Sequence, residues 1–176
     1  RGLIGNGRDV LSAPVTAEGL CPLRIKWAEE KIISIEAIDR SDGTRLKLLL
    51  PRLVEPHAHI DKVFTWASFP NFKGSYSEAL QANLKEHNSR TTEGMISRSE
   101  KALSLAVKNG LRAVRTHVDS FGLSGTNSWK ALIHLRNSWE SLIELQCVAL
   151  VPLEYWSCGE GRFLASRVAS SRGLLG

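Results

Sequence analysis

From Pro51 onward, short apolar runs alternate with stretches of helical periodicity, and this alternation commits the chain to α/β architecture. Leu53 to Asp61 predicts a strand. A loop rich in Trp, Phe, Pro and Gly follows from Phe64 to Tyr76, and Ser77 to Glu86 then predicts a helix. Thr92 to Asn109 is the clearest helix: Ile96, Leu103, Ala106 and Val107 share one face, Thr91 or Thr92 can cap its start, and Gly110 can close its end. Leu111 to Asp119 predicts the next strand. Ser128 to Leu142 predicts a helix with Trp129, Leu132, Ile133, Arg136 and Trp139 on one side. Leu145 to Pro152 is, apart from Gln146, an apolar strand, of the kind buried on both faces of a parallel sheet. A short helix over Gly161 to Ser170 leads to Gly173–Gly176, where a fourth strand begins.

Strands joined through helices pair in parallel with right-handed crossovers, which leaves an open doubly wound sheet or a (β/α)8 barrel. The open, nucleotide-binding form calls for a glycine-rich loop after its first strand. No Gly-x-Gly-x-x-Gly follows Leu53 to Asp61; a pair of histidines sits at that strand's carboxyl end instead. Barrel enzymes place their chemistry at such ends, so the fold expected is a partial (β/α)8 TIM-type barrel. Residues 51–176 are roughly half of the ~250 that a full barrel takes, enough for about the first three βα units. The chain starts at Arg1, its single methionine is Met95, and it stops in an apolar run. It therefore reads as a fragment.

Residues 1–50 have a different rhythm. Leu23, Ile25 and Trp27 alternate with Arg24 and Lys26, Ala28-Glu29-Glu30 makes a turn, and Ile33, Ile35 and Ala37 alternate with Ser34 and Glu36. That pattern predicts a β-hairpin. A third strand is expected from Leu46 to Leu50, after the polar turn Arg40-Ser41-Asp42-Gly43.

Composition narrows the functional classes. The chain is 43% hydrophobic and 23% charged, which suits a folded domain. No apolar run approaches the ~18 residues that a membrane helix needs, and the first residues lack the apolar core of a secretory signal. The net charge is +5, but the basic residues are spread from Arg8 to Arg172 among acids rather than gathered in a patch, which argues against nucleic-acid binding. Cys21, Cys147 and Cys158 form no Cys-x-x-Cys, so a disulfide framework is not indicated and a reducing, cytoplasmic setting is expected.

The chemistry concentrates in Leu53-Val54-Glu55-Pro56-His57-Ala58-His59-Ile60-Asp61-Lys62. On a continuous strand Glu55, His57, His59 and Asp61 would face one way. Two histidines spaced by two residues lie roughly 6.6 Å apart at Cα, close enough for both imidazoles to reach one cation at about 2.0–2.1 Å. The competing reading is two unrelated surface histidines. In Val114-Arg115-Thr116-His117-Val118-Asp119, Arg115, His117 and Asp119 share a face of the neighbouring strand, so His117 and Asp119 approach the same cavity or form a polar core cluster. His87 and His134 sit among polar neighbours and are expected at the surface. Phe64, Trp66, Phe69, Phe72 and Tyr76 are expected to pack the long loop onto the barrel rim, with the floor of a ligand pocket as the alternative. Zinc deaminases that act on flipped bases carry His-x-Glu and Pro-Cys-x-x-Cys, and neither is present.

The paired tracts Val54–Lys62 and Val114–Ser120 resemble the first and second barrel strands of cytosine deaminase and its relatives in the amidohydrolase superfamily. The resemblance covers most of the chain from Pro51, with residues 1–50 matching part of the small amino-terminal β-sandwich that precedes the barrel. It implies that His57 and His59 are ligands of one divalent metal ion, iron or zinc. His117, Asp119 and Asp61 would lie in the substrate-binding or surrounding shell. The other ligands and the acid/base glutamate would come from later strands, so no catalytic residue falls within this fragment, which alone would be inactive. The implied reaction is hydrolysis of a C–N bond, not a peptide bond, in a small cyclic amidine by a metal-activated water. A homo-oligomer of the full-length form is compatible with it. One position departs from the pattern: Leu153 stands where a substrate-reading glutamine is expected, and a leucine has no amide donor and acceptor, which argues against cytosine itself. Two alternatives stay open: another amidohydrolase acting on an amide or ester, and a non-catalytic degenerate fragment.

Overall fold

The computed structural model describes residue 17, residues 20–38 and residues 47–176. The chain divides into two compact units, Arg1–Leu50 and Pro51–Gly176.

In the first unit, β1 (Leu23–Ala28) and β2 (Lys31–Ala37) form the antiparallel hairpin that the alternation predicts. Glu29 and Glu30 turn the chain with φ of 48° and 63°, the left-handed backbone that a two-residue hairpin turn needs. A register shift between Lys26 and Trp27 adds twist. The expected third strand does not form: Lys47–Leu50 is irregular and exposed, and Leu46 lies outside the described residues. Its leucines follow one another without polar alternation, so no half-buried face selects a strand register.

The second unit is a four-stranded parallel sheet in the order β3 (Leu53–Ala58), β4 (Leu111–Asp119), β5 (Glu144–Leu150) and β6 (Leu174–Leu175). The crossovers are α1 (Tyr76–His87) with α2 (Thr92–Lys108), then α3 (Gly122–Ser138), then a short 3-10 helix, Leu153–Ser157, with α4 (Gly159–Ser170). Caps define the helix starts. Ser75 Oγ accepts from Glu78 N at 3.2 Å, and Thr91 Oγ1 accepts from Gly94 N at 3.1 Å, each satisfying an orphan amide. Gly110, at φ 82°, ends α2 and turns the chain into β4.

One core joins helices and sheet. Leu103 from α2, Trp129, Leu132 and Leu135 from α3, and Val114, Val118, Leu145, Cys147 and Ala149 from β4 and β5 are all buried in one cluster. Strand side chains alternate, so the residues between them face the other side. There Arg115 is exposed and Gln146 half-buried, and Arg115 Nε donates to Gln146 Oε1 at 3.0 Å. The outermost strands stay open: Leu53, Val54, Leu174 and Leu175 are exposed.

Three boundaries differ from the pattern reading, one of them the end of α3, at Ser138 rather than Leu142. Helix α3 begins at Gly122, six residues ahead of Ser128. Gly122 and Gly125 look like loop residues, yet a Cβ on Gly125 would lie 2.5 Å from Ser120 C, so the missing side chain is what lets the first turn sit against the end of β4. Strand β3 ends at Ala58 rather than Asp61. Ile60 N donates to Thr116 Oγ1 at 3.1 Å and Ser99 Oγ donates to Ile60 O at 2.8 Å. These bonds replace the ladder, and the chain turns as Lys62 N bonds His59 O at 3.2 Å.

Candidate active site

Three imidazoles gather at the carboxyl ends of β3 and β4. The His57 and His59 ring centroids are 5.2 Å apart and edge to face, His57 stacks on His117 at 3.9 Å, and His59 lies 5.9 Å from His117. His57 is exposed, and its backbone N donates to Glu55 Oε1 at 2.9 Å. His59 is half-buried, with Nδ1 2.9 Å from the His117 carbonyl oxygen. A carbonyl only accepts, so His59 Nδ1 carries a proton, and in the neutral ring Nε2 is the nitrogen with a lone pair. Burial, followed by the neighbouring His57, His59 and Arg115, holds His117 below the usual imidazole range and favours its neutral form. His117 Nδ1 is buried and has no hydrogen-bond partner among the described residues.

This donor set suits a divalent metal ion. Neutral imidazole is the nitrogen ligand such ions take, and a histidine whose other nitrogen donates to a carbonyl is oriented as metal-bound histidines are. Among the described residues, however, no three His, Cys, Asp or Glu side chains form a group able to hold a metal by themselves.

Asp61 and Asp119, each two residues past a histidine, meet in a buried ionic cluster. Asp61 is 0% exposed, and its Oδ2 takes Arg90 Nη1 at 3.2 Å and Asp119 N at 3.4 Å. Burial raises its carboxyl pKa, outweighing Arg90 and Lys62. Burial alone would raise Asp119 too, but the charge and hydrogen bond of Lys62, with help from Asn83 and Arg90, hold it below the carboxylate range. Lys62 Nζ lies 3.1 Å from both Asp119 oxygens, and Asn83 Nδ2 3.1 Å from Oδ2. Arg90 also pairs with Glu86 at 2.6 Å, and Glu86 pairs with Arg98 at 2.6 Å.

Pattern reading missed Arg90, whose setting in Asn88-Ser89-Arg90-Thr91 looks like a solvated turn. It also misplaced His87. Far from being at the surface, His87 is 4% exposed and stacked on Phe121 at 4.3 Å, because α1 lies over the turn that starts α3. His134 is exposed, as expected. Leu153 opens the 3-10 helix and is 80% exposed. The loop aromatics depart from the packed arrangement: Phe64, Trp66, Phe72 and Tyr76 are exposed, with Trp66 against Phe72 at 5.9 Å and Lys101 over the Phe64 ring at 4.4 Å. Phe64 and Phe69 line a small cleft with Arg90, Thr91, Met95 and Arg98, and none of the three clustered histidines borders it.

The chain is a partial match to deaminases and amidohydrolases of the amidohydrolase superfamily. It is 30% identical over 118 residues to pterin deaminase from Rhizobium rhizogenes, an alignment covering 66% of this chain and 26% of that protein. It is 28% identical over 132 residues to N-isopropylammelide isopropyl amidohydrolase from a Pseudomonas species, covering 68% of this chain and 32% of that one. Among solved structures, 5-methylcytosine deaminase from Klebsiella pneumoniae liganded with phosphonocytosine superposes with a TM-score of 0.69 at 26% identity, over 88% of this chain and 39% of that one. The same enzyme liganded with 5-fluorocytosine gives 0.66 at 25% identity, over 86% and 38%. The chain thus spans between a quarter and a third of the curated relatives it matches. No protein-family model matches it.

Proposed function

We propose that this chain is the amino-terminal part of a metal-dependent hydrolase of the cytosine-deaminase-like type, which cleaves a C–N bond in a small cyclic amidine. The observation that carries the reading is the pairing of His57 and His59, with rings 5.2 Å apart at the carboxyl end of the first strand of a parallel sheet. In this reading the four strands are the opening arc of a (β/α)8 barrel, the hairpin belongs to an amino-terminal β-sandwich, and the face bearing Arg115 and Gln146 lines the interior. Two imidazoles do not complete a coordination shell, so further donors and the acid/base group must lie on later strands. The setting is taken as cytoplasmic; among the described residues no helix is long and apolar enough to cross a membrane.

His57 and His59 would hold one divalent ion, iron or zinc. Such an ion would lower the pKa of a bound water to roughly 7 and so supply a nucleophilic water at neutral pH. The chain's own contribution is orientation. The His117 carbonyl fixes the His59 tautomer, and Lys62 and Asn83 hold the carboxylate of Asp119, two residues past His117. Leu153 offers no paired amide, which disfavours cytosine and leaves a related cyclic amidine.

The test is His57→Ala in the full-length protein, with metal analysis and a screen of cyclic amidines against simple amides and esters. Joint loss of metal and deamination is expected. Retention of both would remove the ligand assignment, and turnover of amides or esters alone would favour a different amidohydrolase.

A further inference from the structure

The same three-residue form recurs at both strand ends, His59-Ile60-Asp61 immediately after β3 and His117-Val118-Asp119 closing β4. The two aspartates converge on one guanidinium. Arg90 is buried, with its Nη1 3.2 Å from Asp61 Oδ2 and its Nη2 3.3 Å from Asp119 Oδ2. It is itself held from α1 and α3. Its Nε donates to Glu86 Oε2 at 2.7 Å, its Nη2 to Asn83 Oδ1 at 3.2 Å, and its carbonyl accepts from Asn127 Nδ2 at 3.2 Å. A lysine has no planar fork with which to bridge two strands at once.

We propose that Arg90 is a positioning residue: it cross-links the ends of β3 and β4 through Asp61 and Asp119 and so fixes His59 against the His117 carbonyl. Stability is a poor reason for such a cluster. Three carboxylates (Asp61, Glu86, Asp119) and Arg90 are withdrawn from water, with Lys62 and Arg98 partly so, and their desolvation cancels much of the attraction between them. What the cluster provides is register. The Asp61 carboxylate also takes the Asp119 amide at 3.4 Å, tying one strand's side chain to the other's backbone. His59, two residues back from Asp61, is thereby held with its Nδ1 2.9 Å from the His117 carbonyl oxygen, the contact that selects its tautomer. A role for that tautomer in metal binding rests on the function proposed above; the positioning itself does not.

The test uses the chain with Arg90→Lys, read by imidazole nitrogen NMR and by amide hydrogen exchange. The expected result is loss of the Nδ1–H signature of His59 and at least about tenfold less protection of the amides from Ile60 to Lys62 and from His117 to Asp119. Amides of β5 and α4 should keep wild-type protection. An unchanged His59 tautomer would overturn the proposal, and so would a uniform loss of protection that includes β5 and α4, since Arg90 would then only hold the fold together. Should Arg90→Lys not fold, Asp61→Asn is judged by the same two criteria. Cobalt(II) titration of the same samples separates the two readings. A wild-type chain that takes up no cobalt but shows the local changes in Arg90→Lys supports Arg90 positioning and counts against the metal site. Cobalt uptake weakened about 10- to 100-fold in the variant supports both.

Discussion

His59 Nδ1 meets the His117 carbonyl oxygen at 2.9 Å, a side chain just past the end of one strand bonded to the backbone of the next. The contact makes two local sequence tracts into one site. It also places the proton of His59 on the nitrogen facing the sheet, leaving the other nitrogen available.

The support beneath this contact includes Thr116, which is fully buried and accepts from Ile60 N at 3.1 Å. Thr116→Val preserves shape but orphans a buried amide, and stability should fall by about 1–3 kcal/mol. Urea denaturation checks this, with an unchanged m-value expected.

His87 makes stability depend on pH. Burial, and then the charge of Arg90, lower its pKa from 6.5, while the carboxylates of Asp119 and Glu86 pull the other way without prevailing. The unfolded chain therefore takes up the proton first. The contribution is present above pH 6.5 and is lost as pH falls through the lower, folded value. Asp61, with its raised pKa, opposes this on the acid side, so the informative quantity is a difference. Thermal melts from about pH 7.5 to about pH 5.5 should show a shallower decline for His87→Gln than for the wild type.

Leu132 lies at the centre of the contact between α3 and the sheet and is fully buried. Leu132→Ala should cost about 2–5 kcal/mol, a substantial share of a small domain's stability. Chemical denaturation would measure it, and a value below about 1 kcal/mol would mean that the core closes around the gap.

Cys147 and Cys158 should differ sharply in thiol chemistry. Burial within β5 is the main cause that pushes the Cys147 thiol up to about 12, whereas Cys158 is exposed at the start of α4. A disulfide reagent should label Cys158 in the folded chain and reach Cys147 only on unfolding. Equal rates would contradict the packing of β5.

The strand and helix order from Pro51 was legible because apolar runs and caps speak locally. Thr91 and Gly110 mark α2, and the apolar run that opens at Cys147 in β5 announces burial on both faces. Hidden were features whose cause lies far along the chain. Gly125 looks like a loop residue until Ser120 is seen against it. Arg90 looks solvated until carboxylates from two strands arrive, and His87 looks exposed until Phe121 covers it. The paired histidines were visible as a motif, but the stacking of His57 on His117 depends on the pairing of β3 with β4, which no single tract encodes.

The sharing of one guanidinium by two strands carries an evolutionary consequence. Losing either aspartate would leave Arg90 paired with Glu86 and a single strand end, so the bridge between the two strands would be gone, and a change at the end of one strand calls for a compensating change at the other or at Arg90. In descendants of a common ancestor these three positions should change together or not at all, and drift at this mouth of the sheet should be slower than at its opposite rim, where Arg52 reaches only the carbonyls of Leu111 and Leu142.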